Sequence, residues 1–197
     1  MTPPKPYHHG NLREALLQSA IRLIREVGPT AFTLREVARR AGVSHNAPYR
    51  HFRNKEDLIA AVAAEGYQEL TGAMVTAAAG QPDVLDRLKN AGLAYVRFAV
   101  RKPEHFTVMF DAPASGHRHP DAAQAAKQAF STLVGLVKVC QEEGRLVSGD
   151  PGRYALLAWS MVHGVAKLAI TGRLPYRTTA GVLKFAAFVI DQSLPRR

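Results

Sequence analysis

Cysteine is almost missing from this chain. Cys140 stands alone, so no intrachain disulfide can form. It lies in an apolar helical run and reads as a small core residue rather than a redox sensor. Long apolar runs are missing too: the most apolar window, residues 154–170, is interrupted by His163 and Lys167 and is short for a membrane span. The opening MTPPKPYHHGN has no apolar stretch of the secretory type, so a cytoplasmic protein is expected. No run alternates apolar and polar residues as a strand would. The chain holds no glycine-rich phosphate loop, no metal-spaced set of His, Cys and Asp, and no G-x-S-x-G, so neither an enzyme nor a cofactor is expected. His117 and His119 share a loop, not a helical face, and read as solvated side chains.

What the chain does have is basic charge. Lys and Arg number 26 against 16 Asp and Glu, a formal net charge of +10. Such an excess favours polyanions, either nucleic acid or an acidic membrane surface. No helix pairs a basic stripe with a wide apolar face, which disfavours the membrane. The charge is also concentrated: residues 1–57 hold ten Lys or Arg and five Asp or Glu, half of the net excess in under a third of the length. That is the footprint of phosphate binding. A hydrophobic fraction of 47% leaves ample material for a buried core behind it.

Helical spacing and capping residues divide the chain into about nine helices, an all-α fold. A flexible tail, residues 1–10, precedes Asn11, which pairs with Glu14 as a cap. Leu12, Leu16, Ala20, Leu23, Ile24 and Val27 form one face of the first helix, stopped by Gly28-Pro29. Thr33 with Glu36 is a capping box opening a short helix to Ala41. Gly42 supplies a turn, and Ser44 caps a helix from His45 to Phe52, with Pro48 loosening only its first turn. Asn54 caps a long helix from Lys55 to about Ala79. Further helices follow Asp83 to about Arg101, Glu104 to Phe110, Asp121 to Glu143, Pro151 to Thr171, and Thr178 or Thr179 to about Leu194, where Pro195 closes the last. Asp111 to Pro120 is a loop.

Thr33 to Leu58 has the pattern of a helix-turn-helix, whose second helix enters the major groove. Arg35, His45, Asn46 and Arg50 are then placed to read base edges, since Arg suits guanine and Asn suits adenine. Thr33, Ser44, Tyr49, His51 and Lys55 are placed for phosphate contacts. Val37, Ala38, Ala41, Val43, Ala47, Phe52, Leu58 and Ile59 form the small core beneath.

This stretch resembles the signature of the TetR family of transcriptional regulators. The matching features are TLREVARRAGVS, the Tyr-x-His-Phe of Tyr49 to Phe52, and NKEDL from Asn54. Trp159 with His163-Gly164 is similar to the Trp-His-Gly signature of one C-terminal subgroup, and the opening Tyr7 to Leu12 also looks typical of it. The resemblance implies a DNA-binding domain over residues 1–57 and an effector-binding and dimerisation domain over residues 58–197. It implies a homodimer on a double-stranded palindromic operator, in which the last two helices of each subunit form a four-helix bundle. The sequence supports the pairing independently, because residues 154–170 and 182–190 are apolar on more than one face. Gly164, Val182, Phe185 and Val189 are the expected interface. The resemblance further implies a small-molecule effector whose binding releases the DNA. Candidate lining residues are Tyr95, Phe98, Phe106, Met109, Phe110, Phe130, Val134, Val137, Trp159 and His163, and the lack of charge among them suits an apolar ligand. The alternative is a ligand-independent or architectural DNA-binding protein, which would not need so large an apolar half.

Overall fold

A computed structural model describes residues 12–111 and 119–194. Tail residues 1–10, the Asn11 cap, the loop residue His117 and the closing Pro195 lie outside the described residues. Among the described residues eight α-helices form, α1 Leu12–Val27, α2 Leu34–Ala41, α3 Lys55–Ala78, α4 Val84–Arg101, α5 Pro103–Asp111, α6 Pro120–Glu142, α7 Pro151–Ile170 and α8 Thr179–Ser193. Side chains fix where several of them begin. Thr33 and Glu36 complete a reciprocal capping box: Glu36 N–H donates to Thr33 Oγ1 at 3.2 Å, and Thr33 N–H donates to Glu36 Oε2 at 2.7 Å. Asn54 accepts from Asp57 N–H at 2.8 Å, Asp83 from Leu85 N–H at 2.8 Å, Asp150 from Gly152 N–H at 2.8 Å and Thr178 from Gly181 N–H at 3.1 Å. Each satisfies a backbone donor that the first turn leaves free, for about 1 kcal/mol.

One expected helix is absent. Between α2 and α3, residues 45–52 form turns and a short 3-10 helix at Pro48–Arg50, not an α-helix, and Ala47 rather than Ser44 flanks it, without a side-chain cap. Ala47 N–H donates to the Ser44 carbonyl at 2.9 Å, while His51 and Phe52 N–H both donate to the Pro48 carbonyl at 2.9 Å. Pro48 has no N–H to offer the Ser44 carbonyl, and its ring crowds that position. The loss spreads through the segment instead of stopping at one bond. Ala47, Pro48 and Phe52 are buried and still pin the segment to the helices beneath it.

Packing runs through a single connected core. In the N-terminal head, α1 lies on α2 and α3; in the body, α3 packs on α4, α5 and α6, α4 on α7 and α8, and α7 on α8. Val37, Ala38, Ala47, Phe52, Leu58 and Ile59 are buried as expected of the head's core, with Ala41 and Val43 partly covered. Phe106, Val62, Val96, Val108 and Val137 are fully buried in the body. Because α3 packs on α1 as well as on the body helices, one unbroken helix belongs to both halves. No helix among the described residues is long and apolar enough to cross a membrane.

Candidate nucleic-acid interface and effector cavity

The α2 helix and the turn after it present a polar row. Arg35, Ser44, His45, Asn46, Arg50 and His51 are exposed, and Tyr49 is 51% exposed despite its ring. Gly42 makes the sharp exit from α2 possible. Its φ of 70° is left-handed, and its N–H and that of Val43 return to the carbonyls of Arg39 and Ala38 at 3.2 and 3.0 Å. Nearby cations divide into two kinds. Arg40 grips Glu26 through two bonds of 2.5 and 2.6 Å, and Arg53 grips Asp57 at 2.8 and 3.3 Å. The Arg53 guanidinium holds the Asp57 carboxyl below the usual carboxylate range. Arg35 and Arg50, by contrast, have no ion pair among the described residues, so their charge is available to an outside anion. Thr33 is exposed but its hydroxyl is engaged with Glu36. Lys55 Nζ donates to the Thr30 carbonyl at 2.8 Å and lies 5.3 Å from the Phe32 ring centre. Arg39 is a further exposed cation on α2 that the motif reading passes over.

Inside the body lies a cavity of about 100 Å³. The α3 helix contributes Tyr67, Leu70 and Met74; α4 gives Leu88, Ala91, Gly92 and Tyr95; α5 gives Phe110. From α6 come Ala126, Ala129, Phe130 and Leu133, and from α7 Ala158, Trp159, Met161 and Val162, with Ile190 and Leu194 closing the far side. Among the described residues the wall contains no charged side chain. Its polar atoms bond to one another or to the backbone. Tyr67 Oη donates to the Met109 carbonyl at 2.9 Å; burial pushes this phenol up to about 12. Trp159 Nε1 donates to Tyr95 Oη at 3.0 Å, and Tyr95 Oη is 2.8 Å from His163 Nδ1. Burial lowers the His163 pKa, so the neutral ring that can accept the Tyr95 proton is favoured.

The α5 helix connects cavity and head. Phe110 forms cavity wall while Glu104, six residues earlier, accepts from Arg25 Nε of α1 at 2.5 Å. His105, only 3% exposed, has Nε2 3.3 Å from Glu65 Oε1 of α3, and its buried Nδ1 has no partner among the described residues. Gly66 lets α5 sit close: a Cβ there would lie 2.6 Å from Met109 Sδ and 3.3 Å from His105 Cβ.

Comparison with known proteins fits both halves. Residues 16–62 match the family described as bacterial regulatory proteins, tetR family, and residues 88–192, more than half of the chain, match the tetracyclin repressor-like C-terminal domain. The chain belongs to the tetR family. Its members are DNA-binding transcriptional regulators, not enzymes. A solved structure of a protein of unknown function from Rhodococcus sp. RHA1 is 33% identical, with a TM-score of 0.82 over 97% of this chain and 99% of that one. The fatty acid degradation regulator FadR from Bacillus halodurans shares the fold, with a TM-score of 0.80 over 97% of this chain and 100% of its own, at 16% identity. Among curated proteins, an HTH-type transcriptional repressor of Mycobacterium tuberculosis is 44% identical over 48 residues, 24% of this chain and 26% of the repressor. The Tetracycline repressor protein class C of Escherichia coli is 43% identical over 51 residues, 26% of this chain and 23% of its own. The matched stretch thus spans about a quarter of the length of these curated relatives.

Within this tetR-family body, the expected lining residues separate by depth. Tyr95, Phe110, Phe130 and Trp159 line the cavity. Phe98, Phe106, Met109 and Val137 are buried in the core, Val134 packs against it, and His163 stands behind Tyr95 with Phe106 stacked on its ring at 5.3 Å. Sequence reasoning missed the α3 wall and the small residues Ala91, Gly92, Ala126, Ala129 and Ala158. The available signal was their helical spacing opposite aromatic residues, since space inside a bundle is left by what is small. Of the expected interface residues, Val182 is buried in the chain's own core, Phe185 and Val189 are half-buried, and a Cβ on Gly164 would meet nothing within 4 Å. Leu157, Leu168, Tyr176 and Phe188 are exposed on α7, on α8 and in the loop between them.

Proposed function

We propose that this chain is a homodimeric, ligand-responsive transcriptional repressor of the cytoplasm. It binds a palindromic operator and releases it when a small apolar molecule fills the cavity. Residues 1–57 form the reading domain and residues 58–197 the effector and pairing domain. Arg35, His45, Asn46 and Arg50 contact base edges, and Thr33, Ser44, Tyr49, His51 and Lys55 contact phosphates. The observation that carries this reading is α3. The helix starts at the Asn54 cap beside the exposed polar row, and farther along its Tyr67, Leu70 and Met74 form cavity wall. A ligand that pushes on that wall therefore pushes on the element that seats the reader. The exposed apolar residues of α7 and α8 support pairing, because a contiguous apolar face on a soluble chain is covered by a partner more economically than by water. The relay from Trp159 through Tyr95 to His163 supports placing the chain in the Trp-His-Gly subgroup. Repression rather than activation is supported by the names of the curated relatives.

Selection from random duplex DNA by the purified protein should enrich a two-fold symmetric site, its half-sites one or more helical turns apart. Enrichment of no symmetric site sinks the reading.

A further inference from the structure

The cavity wall limits the chemistry of what can enter. Resting on the ligand-responsive reading above, we infer that the effector is an uncharged molecule about the size of one aromatic ring, held by shape and ring contacts and not through an ionic headgroup. Three observations carry this. The cavity of about 100 Å³ is on the scale of the engineered apolar cavities of about 150 Å³ that admit benzene. Among the described residues no Lys, Arg, Asp or Glu lines it, so an ion brought inside would lose its hydration without gaining a counter-charge from this wall. The polar wall atoms are already engaged: Tyr67 Oη with the Met109 carbonyl, and Trp159 Nε1 with Tyr95 Oη, which in turn meets His163 Nδ1. What remains to be contacted is ring and methyl surface. Phe110 and Phe130 stand tilted around the Trp159 indole, with centroids 6.1 and 6.0 Å from it. That spacing leaves ring edges and faces for an aromatic guest.

Trp159 is the chain's one tryptophan, which makes the site its own reporter. Toluene, benzoate and benzylammonium, nearly equal in size and differing in charge, are titrated against the full-length protein at pH 7.5 while indole emission and Tm are followed. Toluene should shift the emission saturably and raise Tm, with apparent affinity more than about tenfold above that of either ion. Ala129→Leu, which fills the cavity from α6, should abolish the toluene response while far-UV circular dichroism stays helical. Ala126→Leu replaces it if that variant does not fold. Either ion binding as tightly as toluene, no saturable toluene response, or an unchanged response in the folded cavity-filling variant overturns the inference. The DNA selection is read separately. Symmetric-site enrichment without toluene binding removes this inference alone, whereas toluene binding without any symmetric site removes the repressor reading alone.

Discussion

The Tyr95 hydroxyl accepts from Trp159 and lies 2.8 Å from His163 Nδ1; the arrangement that uses its one proton has Tyr95 donate to Nδ1 and the neutral imidazole carry its proton on Nε2. Burial is the first cause that lowers the His163 pKa; the Lys167 ammonium adds to it and the Asp111 carboxylate opposes it. A depressed folded-state value means the unfolded chain binds the proton more readily. The contribution of His163 is therefore complete above the ordinary value of 6.5 and is lost as pH falls through and below it. Between about pH 7 and pH 5, the Tm of the wild type should fall further than that of His163→Gln, and identical profiles would show that the imidazole does not titrate in this network. On the outer surface the proposed base reader Arg50 is exposed and, among the described residues, has no ion pair. Arg50→Ala should cost about 1–3 kcal/mol of operator binding and relax the preference at one base position. Lys55→Ala should instead weaken all sequences alike and flatten the salt slope, with urea unfolding measured alongside because the ammonium also holds the Thr30 carbonyl. Equal losses on operator and random DNA for Arg50→Ala would remove that residue from base readout.

At the scale of elements, two positions control how the head is built and joined. The Thr33–Glu36 box starts α2, and Thr33→Ala should lower stability by about 1 kcal/mol in urea unfolding. Gly66 sets the distance between α3 and α5. An added Cβ could displace the flexible Met109 sulfur but would also crowd His105 Cβ at 3.3 Å. Gly66→Ala should accordingly destabilise by about 1–3 kcal/mol, and a neutral result would mean that α5 moves away at little cost. These elements also show what a sequence can reveal. Thr33, Asn54, Asp83 and Thr178 announce helix starts because a cap depends on residues two or three positions apart, which the sequence displays directly. Pro48 was visible too, but its effect depends on whether the whole 45–52 segment can recover its bonds, and there local counting fails. The cavity was harder still. Its aromatic residues are conspicuous, yet whether a ring such as Phe106 fills core or lines space is decided by the small residues facing it across helices distant in sequence. Tyr95, Phe110, Phe130 and Trp159 come out as wall, and Phe106 and Met109 as core, for that reason alone.

For the molecule as a whole, the proposed reading turn, residues 45–52, is too short to specify the proposed operator by itself, since few side chains on so short a segment can reach base edges. Pairing two such turns at a fixed separation multiplies both affinity and selectivity, because the second contact becomes intramolecular. The surface best suited to set that separation lies on α7 and α8, where Phe188 is 59% exposed, Phe185 stacks beside it at 6.4 Å, and Tyr176 extends the aromatic row. Phe188 contributes little to its own subunit's core, so Phe188→Glu changes pairing without emptying a packed site, and two carboxylates would oppose each other wherever the face meets its symmetry mate. In analytical ultracentrifugation the wild type should sediment as a species of twice 21.5 kDa and the variant as a single chain, with unchanged helical circular dichroism. Operator affinity should drop by about 100-fold or more, while non-specific binding per subunit, which depends on the basic head, is preserved. A variant that remains dimeric would move the interface away from this face. A variant that becomes monomeric yet keeps full operator affinity would mean that one reading turn suffices, and the separation set by the body would then have no part in recognition.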